Sequence, residues 1–296
     1  MARSGAVITA MVTPFGADGS LDAAAASDLA QWLVAQGNDG LVLTGSTGES
    51  ATLSDDEKME LWRAVRTGVD VPLIVGSTTN DTRHSVRMTK AAADLGMDGI
   101  LAVTPYYNRP SQAGLEAHFR AIAGACSLPV ILYDIPIRSG RKIDTTTILR
   151  LAEDVPTIVG VKDAAGNPAE TARLIAAAPD DFEIYSGDDS LHLALLAIGA
   201  VGVISVAAHW TAGLHRELVD AVIKGDLDAA RTVNDQLIPS YDFENGDLAP
   251  NPVPTKAMLR VLGHPVGECR LPMGPTPDGL DDEARRLASD LGLLPA

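Results

Sequence analysis

The sequence predicts an α/β fold, a TIM (β/α)8 barrel with a C-terminal helical extension, and three observations predict it. Eight short apolar runs recur between residues 5 and 208 of the 296, most of them closing on Gly, Ser, Thr, Pro or Asp. Ala- and Leu-rich segments of helical period lie between them. The runs are near-continuous in Val, Ile and Leu, which is the pattern of parallel strands covered on both faces.

The first run, GAVITAMVTP at 5–14, is broken by Thr9, Thr13 and Pro14 and no clear cleavage site follows, so it reads as a strand and not as a signal peptide. A helix over 22–36 leads to GLVLTGSTG (40–48), and a helix over 54–68 leads to VPLIVGSTT (71–79). Helices over 81–95 and 111–125 precede GILAVTPYY (99–107) and LPVILYDIP (128–136). TIVGVKDAAG (157–166) and FEIYSGDD (182–189) follow, then a helix over 188–198 and the last run, GAVGVISVAA (199–208). A doubly wound open sheet is the competing arrangement, but its GxGxxG after the first strand is missing. Past about residue 225 the strands stop, leaving helices over 226–238, 254–263 and 278–292 and a Pro-rich break, APNPVPTK, at 249–256. No linker separates the parts. The expected division is a barrel over 1–224 and a helical appendage over 225–296, packed together as one structural unit.

Composition narrows the partners. A net charge of −16 without Lys/Arg clusters argues against nucleic acid. No apolar run approaches the roughly 20 residues of a membrane span. Two cysteines, Cys126 and Cys269, give no disulfide framework and fit a reducing, cytoplasmic setting. The six histidines are scattered, and His209 and His215 have no matching carboxylate spacing, so no metal site is expected. Flavin and nicotinamide fingerprints are absent, so no cofactor is expected either.

A barrel of this type does its chemistry at the C-terminal ends of the strands. Those ends offer Thr13, Ser46, Thr47, Ser77, Tyr106, Tyr107, Tyr133, Lys162, Gly187, Asp188 and Ser205, with Arg138 close behind. Of six lysines only Lys162 interrupts a core strand. It reads either as a structural lysine paired with Asp163 or Asp188, or as a nucleophile, since burial of an amine favours the neutral form that attacks carbonyl carbon. GSTGES at 45–50 reads as a plain strand-to-helix turn or as an anion cradle, with Gly45 and Gly48 letting backbone N–H groups converge. It lacks the lysine of a nucleotide loop, so a carboxylate suits it better. Tyr133 and the Tyr106–Tyr107 pair read as packing rings or as proton carriers in a site short of histidine.

GSTGES, TPYYNRPSQ, YDIPIRSG, GVKDA, SGDD and GVISV occur in this order at strand ends, with PNPVPTK in the tail. Together they resemble the dihydrodipicolinate synthase/N-acetylneuraminate lyase family of pyruvate-dependent class I aldolases, over nearly the full chain. Arg138 after YDIP, and YYNRP at 106–110, resemble the synthase branch; Ser46 stands where synthases usually carry Thr.

The resemblance implies a lyase in which Lys162 forms a Schiff base with pyruvate and the enamine adds to L-aspartate 4-semialdehyde, a step of lysine and diaminopimelate biosynthesis. Tyr133, Ser46 and Tyr107 would relay protons, with Tyr107 supplied by a neighbouring subunit. Thr47, Gly48, Gly187 and Ile204 would shape the pyruvate pocket, and Arg138 would bind the semialdehyde carboxylate. N-acetylneuraminate lyase or another 2-keto-acid aldolase of the family is the alternative. The resemblance also implies a homotetramer and a lysine effector site near Ser50, Ala51, Asn80, His84 and Tyr106. Asp55, Lys58 and His84 differ there, and Lys58 is a like charge for a cationic effector, so inhibition by lysine is expected to be weak or absent.

Overall fold

Every one of the eight apolar runs becomes a strand. The computed structural model describes residues 4–246 and 248–294. Strands and helices alternate as β1 (Val7–Ala10), α1 (Ala23–Ala35), β2 (Gly40–Leu43), α2 (Asp55–Gly68), β3 (Leu73–Val75), α3 (Thr82–Asp94), β4 (Gly99–Val103) and α4 (Gln112–Ala123). The chain continues through β5 (Val130–Asp134), α5 (Pro136–Ser139), α6 (Thr145–Asp154), β6 (Ile158–Asp163), α7 (Pro168–Ala177), β7 (Glu183–Ser186), α8 (His192–Ala197), β8 (Gly202–Ser205) and α9 (Ala208–Ile223). Three more helices follow: α10 (Leu227–Glu244), α11 (Val253–Val261) and α12 (Leu280–Asp290). The strands form one closed parallel barrel in sequence order, with β8 pairing back onto β1. Gly202 permits that closure, because a Cβ there would lie 2.1 Å from the Ala6 carbonyl oxygen. In place of the single helix expected over 188–198, the chain makes a short 3-10 turn at Asp189–Leu191 before α8. The helices α6, α7 and α9 add to those expected.

Caps define the helix starts. Ser54 and Glu57 form a reciprocal capping box at α2, and Asp22, Asp81, Ser111 and Asp226 each accept from the first turn of their helix.

Strand alternation separates three apolar layers. Ile8, Val42, Ile74, Leu101, Ile131 and Ile204 fill the barrel interior. Leu41, Leu73, Ile100, Leu132 and Val161 face outward onto α1–α4, α6 and α7. A third layer joins Trp210, Leu218 and Val219 of α9 to Leu237 and Tyr241 of α10, Met258 of α11 and Leu287 of α12. The tail is also tied by charge. Arg270 donates to Glu57 and to the carbonyls of Gly19 and Thr52, while Lys256 and Glu49 form a fully buried ion pair of 2.7 Å.

One irregularity matters for function. β6 carries an extra residue against β5: Val130 pairs Ile158, but Ile131 pairs Gly160. Val159 is the inserted residue of this bulge. Since a one-residue slip exchanges the faces of a strand, it brings Lys162 to the inward side, opposite Tyr133.

Candidate active site

The β2–α2 loop is pinned on several sides before any ligand is considered. Thr44 adopts φ 51°, donates to the Gly76 carbonyl at 3.1 Å and accepts from the Trp62 indole at 3.0 Å. Gly76 needs its missing side chain, as a Cβ would lie 2.3 Å from the Thr44 oxygen. Thr13 holds the Gly48 carbonyl at 2.7 Å. Glu49, also left-handed at φ 53°, accepts the Arg270 N–H and pairs with Lys256. Held in this way, the N–H groups of Ser46, Thr47 and Gly48 donate to no protein acceptor among the described residues. Three free backbone donors on one pinned turn are the kind of group an anion cradle uses.

Lys162 and Tyr133 come from adjacent strands in direct register, and the amine sits 4.4 Å from the centre of the phenol ring. Both side chains are buried. The lysines paired to carboxylates among the described residues are Lys142 and Lys256, and Lys162 is in no ion pair there. The reading in which Asp163 or Asp188 neutralises it is therefore set aside: Asp163 spends its carboxylate on the Ala165 N–H and the Thr171 hydroxyl, and Asp188 on Ser190. Gly187 gives the lysine its space, because a Cβ would stand 2.9 Å from the Lys162 Cγ.

These residues line a cavity of about 400 Å³ at the C-terminal mouth of the barrel. Ser46, Thr47, Tyr133, Arg138, Lys162 and Gly187 share its wall. Gly48 and Ile204 are not among the lining residues; Ile204 belongs to the packed barrel interior. A second cavity of about 270 Å³ adjoins it, sharing Ser46, Tyr133 and Arg138 and lined further by Ser50, Ala51 and Tyr106. Asn80 donates to the Tyr106 carbonyl at 3.2 Å, and His84 pairs with Asp55 at 2.8 Å. Lys58 is buried, which lowers its pKa against the pull of Asp55. Tyr107 does not enter either cavity: at φ 71° it projects outward and is 92% exposed.

The tail supplies what sequence reasoning missed. The Asn251 side chain donates to the Thr47 hydroxyl at 3.0 Å, and the Asn251 backbone carbonyl accepts from Arg138 at 3.2 Å. The only sequence signal was its place in APNPVPTK. Glu244 and Asn245, at the end of α10, line the larger cavity too. Burial, and then the charge of Asp189, push the Glu244 carboxyl well above the ordinary range. Ser77 and Ser205, though at strand ends, are spent on Thr89 and on the α9 start. His209 accepts from the Val12 N–H, and burial lowers its pKa to about 4. Among the described residues no group of three or more His, Cys, Asp or Glu is placed to hold a metal ion.

Chemically, the arrangement offers, among the described residues, an amine outside any ion pair beside a phenol, a turn with free backbone N–H groups and a guanidinium. A family model described as the dihydrodipicolinate synthetase family matches residues 3–291. The 4-hydroxy-tetrahydrodipicolinate synthase of Moorella thermoacetica is 47% identical over 271 residues, covering 91% of this chain and 92% of its own. A crystal structure of dihydrodipicolinate synthase from Cyanidioschyzon merolae with lysine bound superposes with a TM-score of 0.96 at 40% identity, over 99% of this chain and all of that one. A structure described as a monomeric dihydrodipicolinate synthase variant superposes with a TM-score of 0.93 at 34% identity, over 98% and 97% of the two chains.

Proposed function

Because the chain belongs to the dihydrodipicolinate synthetase family, we propose that it condenses pyruvate with L-aspartate 4-semialdehyde through a Schiff base on Lys162, yielding 4-hydroxy-tetrahydrodipicolinate. The names of its relatives favour this reading over a sialic-acid lyase. The observation that carries it is the unpaired Lys162 amine beside Tyr133 in a cavity that also holds Arg138.

The free base of Lys162 attacks the pyruvate ketone, and loss of water gives an imine. The imine draws electrons from the neighbouring methyl group, which loses a proton to become an enamine. Tyr133 carries protons in both steps, with Ser46 beside it. The N–H groups of Ser46 and Thr47, which line the cavity, hold the pyruvate carboxylate, and Asn251 orients Thr47. Arg138 takes the carboxylate of the semialdehyde through a planar fork that lysine matches poorly. The enamine carbon then adds to the aldehyde. The semialdehyde amine displaces Lys162 and closes the ring, freeing the enzyme.

Tyr107 fits this scheme as a residue lent to a neighbouring copy, and a homotetramer accommodates that exchange. No helix among the described residues is long and apolar enough to cross a membrane, and a cytoplasmic enzyme is the setting that suits its cysteines. The test is borohydride reduction with labelled pyruvate followed by peptide mapping, run beside a semialdehyde condensation assay. Label on the peptide containing Lys162 is expected; label elsewhere, or turnover of sialic acid instead of the semialdehyde, would overturn the reading.

A further inference from the structure

We propose that Asp134 and Lys142 are positioning residues for the proposed chemistry at Lys162: their ion pair, outside the barrel wall, fixes the ends of β5 and β6 and so sets the lysine amine against the Tyr133 phenol. The inference rests on the Schiff-base reading and adds to it two residues that touch no substrate.

Register is the first ground. Tyr133 pairs with Lys162, and the next pair along the same two strands is Asp134 with Asp163. Alternation turns the first pair inward and the second outward. The two aspartates thus sit on the reverse side of the wall from the reacting groups, one peptide away from each. What holds them holds the strand ends.

Their bonds leave the barrel in different directions. Asp134 accepts the Ile143 N–H at 3.0 Å and approaches the Lys142 amine at 3.4 Å, tying β5 to the segment before α6. Lys142 reaches on to Glu170 of α7 at 3.1 Å. Asp163 accepts the Ala165 N–H and the Thr171 hydroxyl, at 2.9 and 2.6 Å, tying β6 to the start of α7. The Asp163 carbonyl accepts the Gly187 N–H, beside the lysine stem. One lysine therefore bridges the supports of both strand ends.

Charge is the second ground. The charged groups facing Asp134 are Lys142, Asp163 on β6 and Glu170 on α7; α6 contributes only uncharged Thr145 and Ile148. Asp134 is 2% exposed, so the cation supplies what water cannot. Burial, with a smaller push from Asp163, still raises its pKa to about 6 against the Ile143 N–H and Lys142. Protonation in mildly acidic solution would switch the pair off while leaving the fold in place.

The test compares wild type, Asp134→Asn, Lys142→Met, Lys142→Arg and the Asp134→Asn/Lys142→Met double variant. The readouts are the rate of borohydride-trapped pyruvate adduct and its half-saturation concentration between about pH 5 and 8, with thermal melts as a fold control. Displacements well under 1 Å suffice to slow a positioned reaction, so each charge-removing variant is expected to trap about tenfold more slowly at pH 8 with half-saturation nearly unchanged. Lys142→Arg should recover most of the rate, and the double variant should be no slower than the worse single one. The ratio of wild type to Asp134→Asn should shrink toward one as pH falls through about 6, a comparison in which titrations common to both proteins cancel. A ratio constant with pH, or losses that add in the double variant, would overturn the proposal. If Asp134→Asn fails to fold, the one-third-exposed Lys142 carries the test alone: full trapping rate in Lys142→Met sinks it. Wild type that traps no pyruvate would instead sink the Schiff-base reading beneath it.

Discussion

The Lys162 amine stands 4.4 Å from the centre of the Tyr133 ring, on neighbouring strands and in direct register. An amine and a phenol at this separation can serve one carbonyl between them, as nucleophile and proton carrier. Lys162→Ala is expected to lose all borohydride-trapped adduct and to lower condensation by at least about 10³-fold, the scale on which a covalent nucleophile is lost. A retained adduct, seen by mass spectrometry of the reduced protein, would place the nucleophile elsewhere.

Arg138→Ala should separate the two half-reactions. On the proposed scheme pyruvate capture depends on the loop N–H groups and Lys162, so trapping should persist within a few-fold. Condensation should fall about a hundredfold, as loss of hydrogen bonds to a charged group predicts. Lysine at this position should restore only part of it, because it lacks the fork. Equal loss of both steps in the paired assays would contradict this division of labour.

Lys256 is fully buried on Glu49 and lies 4.2 Å from the centre of the Phe15 ring. Lys256→Ala strands a buried carboxylate and is expected to cost about 3–5 kcal/mol in denaturant titrations. Lys256→Met combined with Glu49→Gln keeps volume without the stranded charge and should recover much of that loss. A single alanine variant as stable as wild type would show that Glu49 finds another partner.

Free lysine should inhibit weakly or not at all. Ser50, Ala51 and Tyr106 do meet in one cavity, and the expectation rests on Lys58 of α2, a like charge for a cationic effector. A titration of lysine into the condensation assay checks this, and inhibition at micromolar concentration would refute it.

Much of this was legible in the chain. Continuous Val/Ile/Leu runs are the pattern of doubly covered strands, and a single lysine inside one of them is conspicuous. The inward aim of that lysine was not legible. Ile158, Val159 and Val161 are all apolar, so nothing in the letters marks Val159 as the bulge that decides the parity of β6. Asn251 was equally hidden: it meets Thr47 across 204 residues, a contact no local pattern encodes.

Asn251 also orders events in the life of the molecule. Translation delivers all eight strands before it delivers this asparagine, so the anchor of Thr47 and Arg138 comes from a segment made after the barrel. Loss of the segment that carries Asn251 would remove both bonds at once.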